Sequence, residues 1–224
     1  MSADYATICV YNESSKITDA QAQAACAAIQ QQVTQHFAPI WRATAVIQFA
    51  AKDEPLPAGA WKFVLADTCS DADALGYHTD EGTPSAVIDV ALCLSDNVAW
   101  SSCLSHEVLE AIADPECVRC FDLGNGTALS LEVCDAVEGS KHADGSEYQI
   151  DGVVLENFCT PNYFTGGPAP WDYLGILPGG ARALTAGGYD VSASLGAWTQ
   201  TTGQMTRPGK LSARKGSRRA QRGV

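Results

Sequence analysis

In this 224-residue chain, the residues best suited to chemistry are His106 and Glu110, two ligand-type side chains four apart on one predicted helix. At about 100° per residue, Trp100, Leu104, Val108 and Ile112 form one apolar stripe, widened by Leu109. His106 and Glu110 stack on the opposite side, beside Ala99, Cys103 and Ala113, whose small size leaves room for a metal ion and a substrate. Glu107 lies about 100° round from His106, at the edge of the same face. An imidazole and a carboxylate at this spacing can hold a divalent ion. A second carboxylate beside them can take the proton of a metal-polarised water. Carboxylate oxygen is a competent zinc ligand, but its charge weakens the ion as a Lewis acid and widens the choice to manganese or iron.

Such a site needs a third protein ligand. The acidic stretch from Leu131 to Glu138 is the best source, with Asp135 the first choice and Glu132 the second. His142, in a polar loop, is a further alternative. His78 is suited to donate a hydrogen bond on the substrate side, or to sit satisfied in a loop.

The elements that must position these residues can be read in outline. Residues 5–11, 43–50, 61–66 and about 86–90 are β-branched and aromatic and predict strands. Thr18-Asp19 starts a helix running to about Phe37, with Ala22, Cys26, Ile29 and Val33 on one face and Pro39 at its end. The chemical helix is predicted over 98–113, capped by Ser95 or Asp96 and closed by Asp114-Pro115. Residues 67–85 read as acidic and turn-rich. Asp151-Gly152 predicts a two-residue type I′ hairpin turn within 147–155. Residues 165–189 read as loop, with strand-like pieces near 189–191 and 198–200. The order implies an α+β fold with two main helices. The connections near 51–60 and 67–85 look too short or too turn-rich for crossover helices, so the sheet should be mixed and mostly antiparallel.

Composition is that of an ordinary globular chain, with 46% hydrophobic and 18% charged residues. No apolar run approaches the ~20 residues that span a bilayer. The N-terminus does not read as a secretory signal, so a cytoplasmic or virion-associated product is expected. The net charge of −12 conceals an asymmetry. Residues 206–224 hold seven of the 14 basic residues and no acid. They read as a basic tail on an acidic domain spanning 1–205, able to dock on nucleic acid or an acidic protein surface, or serving only solubility. The nine cysteines cannot all pair within one chain. Cys117-Val118-Arg119-Cys120 reads as a local disulfide or two free thiols rather than half a zinc knuckle, because no second pair follows.

The helix carries the zincin motif His-Glu-x-x-His with its second His replaced by Glu110. Together with the segments Glu132-Val133-Cys134-Asp135 and Asn157-Phe158-Cys159-Thr160-Pro161, and with Gly76-Tyr77-His78, it resembles a group of zincin-like phage and bacterial proteins regarded as metallopeptidases. The resemblance runs from residue 5 to about 200. It implies a zincin-like fold, zinc held by His106, Glu110 and Asp135, and Glu107 as general base for peptide hydrolysis. It also implies that the strand near 86–91 is the sheet edge against which an extended peptide pairs, and that Phe158 and Pro161 lie under the metal or wall the specificity pocket. The alternative is an inactive scaffold of the same kind, serving as a structural or binding protein such as a virion component.

Overall fold

Strand β1, Ala6–Asn12, is the centre of the main sheet, and Ile8 through Asn12 are buried on both faces. The computed structural model describes residues 6–70, 74–80, 82–124, 126–194 and 196–203. After β1, helix α1 (Asp19–Gln31) begins at Thr18, whose side chain and that of Gln21 cap each other's backbone in a capping box. A π-helical stretch, Gln32–Phe37, then leads into α2, Ala38–Trp41. Pro39, expected to end the helix, instead sits in the first turn of α2. There its missing N–H costs little, because first-turn donors have no helical partner.

Strands β2 (Ala45–Ala50) and β3 (Trp61–Ala66) flank β1, both parallel to it. The short link between them was expected to force antiparallel pairing. It steps over β1 instead, and ten residues, spanning up to ~33 Å, suffice for a return of one strand length and two strand spacings. Only β4 (Gly76–Asp80) runs antiparallel, paired with β5 (Pro84–Asp89), which lies parallel to β3. The order is β2-β1-β3-β5-β4. Two expectations change here. The stretch 67–85 holds a strand as well as turns, and the sheet edge is β4, with β5 inside.

Helix α3, Val90–Ser95, follows directly, with Asp89 accepting from the Leu92 N–H at 2.8 Å. Asp96 terminates α3 and does not cap the next helix, α4 (Trp100–Ala113), which starts at Ala99 without a side-chain cap. Asp114 closes α4 as expected, its carboxylate accepting from the Val118 and Arg119 N–H groups at 3.2 and 2.8 Å.

Strands β6 (Cys120–Gly124) and β7 (Thr127–Ser130) join a second, antiparallel sheet with two late strands. Between come a hairpin of β8 (Gln149–Ile150) and β9 (Val153–Val154) and helix α5 (Pro161–Thr165). Asp151 and Gly152 both have positive φ, as the predicted type I′ turn requires. The late strands are β10 (Tyr189–Ser194) and β11 (Ala197–Thr202), giving the order β11-β10-β7-β6.

The fold is therefore α+β. One apolar cluster joins Ile8, Val10, Phe63 and Ile88 of the main sheet to Ile29 of α1 and Leu104 and Val108 of α4, so both long helices cover the same sheet face. The other face has a small cluster of Cys9, Tyr11, Ala50 and Ala60. No disulfide joins any of the nine cysteines, Cys117 and Cys120 included. No helix among the described residues is long and apolar enough to cross a membrane. The basic stretch 206–224 lies outside the described residues.

Candidate metal centre

Helix α4 is covered on every side, with Ser101 through Ala113 all buried. A helix in that position normally carries no charge. This one carries His106, Glu107 and Glu110 at 2, 4 and 3% exposure. Lone charges buried so deeply cost several kcal/mol each, so partners or an ion must compensate them.

The partners come from two directions. The segment after β7 docks on α4 through the Cys134 N–H, which donates to Glu110 Oε1 at 3.1 Å. That contact brings Asp135, at the start of a 3-10 turn (Asp135–Val137), to the helix. Its Oδ1 lies 3.1 Å from His106 Nε2, which is 3.2 Å from Glu110 Oε2. On the other side, β4 packs against α4 and presents His78, 1% exposed. His78 Nδ1 is 2.9 Å from Glu107 Oε2 and 3.8 Å from Glu110 Oε2. Two groups of three potential ligands result, His106–Glu110–Asp135 and His78–Glu107–Glu110, with Glu110 common to both.

Electrostatics follow from this crowding. Burial pushes Asp135 up to about 7, and the negative charge of Glu110 adds to the effect. Burial also acts to raise Glu110, but the adjacent His106 charge and hydrogen bond outweigh it and hold the carboxyl at about 2. For His106, burial favours the neutral form, yet Glu110 and Asp135 overcome it and raise the imidazole well above its ordinary value. His78 is raised in the same way, against burial, by Cys117, Glu107 and Glu132.

The donor set fits a divalent ion. Ligands bound at 2.0–2.1 Å in a tetrahedral site are separated by about 3.3 Å, and the 3.1 and 3.2 Å separations at His106 are close to that edge. The charge fits as well, since the ion pairs of Glu107, Glu110 and Asp135 are all with the two imidazoles. One feature departs from common metal-bound histidines. His106 Nδ1 has no hydrogen-bond partner among the described residues, where a carboxylate or carbonyl usually receives its proton.

Of the sequence-predicted residues, His106, Glu107, Glu110, Asp135 and His78 converge. Glu132 lies on the His78 side, where its charge raises that imidazole. His142 is exposed and sits in a turn closed by its own N–H to the Ser146 carbonyl. Phe158, expected to wall a substrate pocket, is sealed in an aromatic core with Phe37 and Tyr173, each 5.1 Å away between ring centroids. Pro161 opens α5 and belongs to neither ligand group. A groove of about 630 Å³ runs beside the start of α4, lined by Val98, Ala99, Ser102, Leu155 and Glu156 among others, and none of the donors lines it.

Sequence reasoning missed the frame that holds α4. Ser105 Oγ donates to Gln32 Oε1 at 2.9 Å and accepts from the Glu156 N–H at 3.1 Å, while Gln32 Nε2 donates to the Glu156 carbonyl at 2.8 Å. Glu156 also accepts from Ser102 Oγ at 2.8 Å and the Gly139 N–H at 3.0 Å. Asn157 and Asp172 pin the following loop through a 2.9 Å side-chain bond. The one available signal was polar Gln32 on a helix face otherwise apolar. Removing it breaks two buried bonds, the one the Ser105 hydroxyl donates and the one the Glu156 carbonyl accepts. Gln32→Ala should therefore cost about 1–3 kcal/mol, lowering the thermal midpoint by several degrees in a melt followed by circular dichroism.

Comparison of the chain with protein-family models, curated proteins and solved structures gives no match.

Proposed function

We propose that this protein is a metal-dependent peptidase of zincin-like type, with His106, Glu110 and Asp135 holding a zinc, manganese or iron ion. The observation that carries the reading is the convergence of these three buried donors on one point, with Glu107 beside them on the same helix. When bound, such an ion lowers the pKa of a water and polarises a carbonyl oxygen. Glu107 is then placed to accept the proton of the attacking water and pass it to the leaving amine. His78 holds Glu107 through the 2.9 Å contact and fixes which way the carboxylate points. The edge strand β4 supplies a backbone ladder along which an extended peptide can pair, and it carries His78 into the centre.

A second reading, a structural or binding protein on the same scaffold, is favoured by one observation. All five residues of the centre are at most 4% exposed, and the large groove does not reach them. An ion there would staple α4 to β4 and to the segment after β7, strengthening the fold without turnover.

Both readings predict bound metal, and only the first predicts cleavage. Elemental analysis after loading with zinc or manganese should find stoichiometric metal, and less of it in Asp135→Ala, which removes a ligand of this ion. A protein that stays metal-free under loading overturns the centre itself. Metal without cleavage of a diverse peptide library selects the second reading.

A further inference from the structure

We propose that His78, Glu107 and Glu110 form a second divalent-cation site, joined to the first through Glu110 to make a carboxylate-bridged dinuclear centre. The proposal rests on the reading of His106, Glu110 and Asp135 as ligands of the first ion.

Three observations carry it. The first is geometry. His78 Nδ1 lies 2.9 Å from Glu107 Oε2 and 3.8 Å from Glu110 Oε2, and that same Glu110 oxygen is 3.2 Å from His106 Nε2. One carboxylate oxygen thus faces both imidazoles, as a bridging ligand does, and ions sharing a bridge lie about 3.5–4 Å apart. Glu107 and Glu110, three apart on α4, share a helix face, so the helix itself aligns the ligands.

The second is charge. Glu107, Glu110 and Asp135 are three carboxylates at 4% exposure or less, and each lies within 3.8 Å of one of two buried imidazoles. An ion at the first site engages His106, Glu110 and Asp135 and leaves the Glu107–His78 contact outside its ligand set. A second divalent ion gives the buried Glu107 carboxylate a cation as its partner and takes His78 as a neutral ligand.

The third is space. Gly76 on β4 faces Glu107, and a Cβ added there would stand 3.3 Å from Glu107 Oε1 and 3.5 Å from its Cγ. The missing side chain is what lets the Glu107 carboxylate lie against the edge strand beside His78. In the dinuclear centre Glu107 is a ligand of the second ion, so its proton-accepting part applies to protein carrying one ion.

The test is a manganese titration of the full-length, chelator-stripped protein. Bound metal is counted after gel filtration, and electron paramagnetic resonance reads the coupling between ions. The expected result is two manganese ions per chain with an exchange-coupled spectrum, falling to one uncoupled ion in His78→Ala and also in Glu107→Gln. Asp135→Ala should keep one ion, and the His78→Ala, Asp135→Ala double variant none. One uncoupled ion in the wild type, unaffected by His78→Ala and lost in Asp135→Ala, overturns the second site and leaves the first standing. No bound manganese in the wild type overturns both. The wild-type spectrum decides the matter even if a variant fails to fold.

Discussion

Replacing Glu107 with glutamine should lower kcat for peptide cleavage by roughly 10²–10⁴-fold, about 3–5 kcal/mol of transition-state stabilisation. The change is nearly isosteric. A glutamine at this place keeps a polar atom within reach of His78 Nδ1, now 2.9 Å from the carboxylate, and fills the same volume against Gly76. It loses the negative charge and, with it, any capacity to take a proton near neutral pH. The ion held by His106, Glu110 and Asp135 should remain, because none of those three donors is altered. Metal content and the far-ultraviolet spectrum are the controls that separate lost chemistry from lost structure. Cleavage within a few-fold of wild type, with metal retained, would remove Glu107 from the mechanism.

The second large effect is on stability, and its sign follows from three shifts at the centre. Raised Asp135 stays protonated in the folded chain up to about 7, whereas in the unfolded chain it ionises near its ordinary value. Between those limits the folded state holds more protons, so stability falls as pH rises. Raised His106 acts in the same direction. Its contribution is complete below about 6.5 and disappears as pH climbs through its higher folded value. Lowered Glu110 contributes above its ordinary range and loses that contribution only as pH falls toward about 2, outside the window considered. The metal-free protein should therefore melt at a lower temperature at pH 8 than at pH 5.5.

Metal should reverse this trend, because ligation needs Asp135 ionised and the His106 lone pair free, and both become easier as pH rises. At a hundredfold excess over Kd an ion adds about 2.7 kcal/mol, which for a chain of this size is roughly 5–11 °C in Tm. Melting curves at pH 5.5 and 8, with zinc and with chelator, measure both arms. A chelator effect equal at the two pH values, or larger at 5.5, would show that the ion does not bind through these groups.

The ligand helix was legible because its pattern is local. His106 and Glu110 are four apart, and the apolar stripe from Trp100 to Ile112 follows the helical period, so both could be placed before any fold was known. The Asp151-Gly152 turn was legible for the same reason, since two adjacent positive φ values are demanded by the turn itself. Strand β4 was not. Its five residues lie among acidic turn residues, and what makes them a strand is the ladder from Gly76 to Asp80 against β5, a partner that supplies hydrogen bonds the local sequence cannot. Phe158 shows the opposite failure. An aromatic residue in a motif-like segment suggested a pocket wall, but hydrophobic burial against Phe37, more than a hundred positions away, decided its place.

What the sequence determined by itself, then, is the α+β class, the two long helices, and the set His106, Glu107 and Glu110 on one of them, because helical periodicity is written in residues a few places apart. Tertiary structure alone decided three things. It made β4 the edge of the sheet, it brought Asp135 within 3.1 Å of His106, and it turned His78 from a loop histidine into the partner of Glu107. Each depends on two segments far apart in the chain meeting in space. Burial enforces that meeting, because three carboxylates inside the core must find imidazoles or cations there.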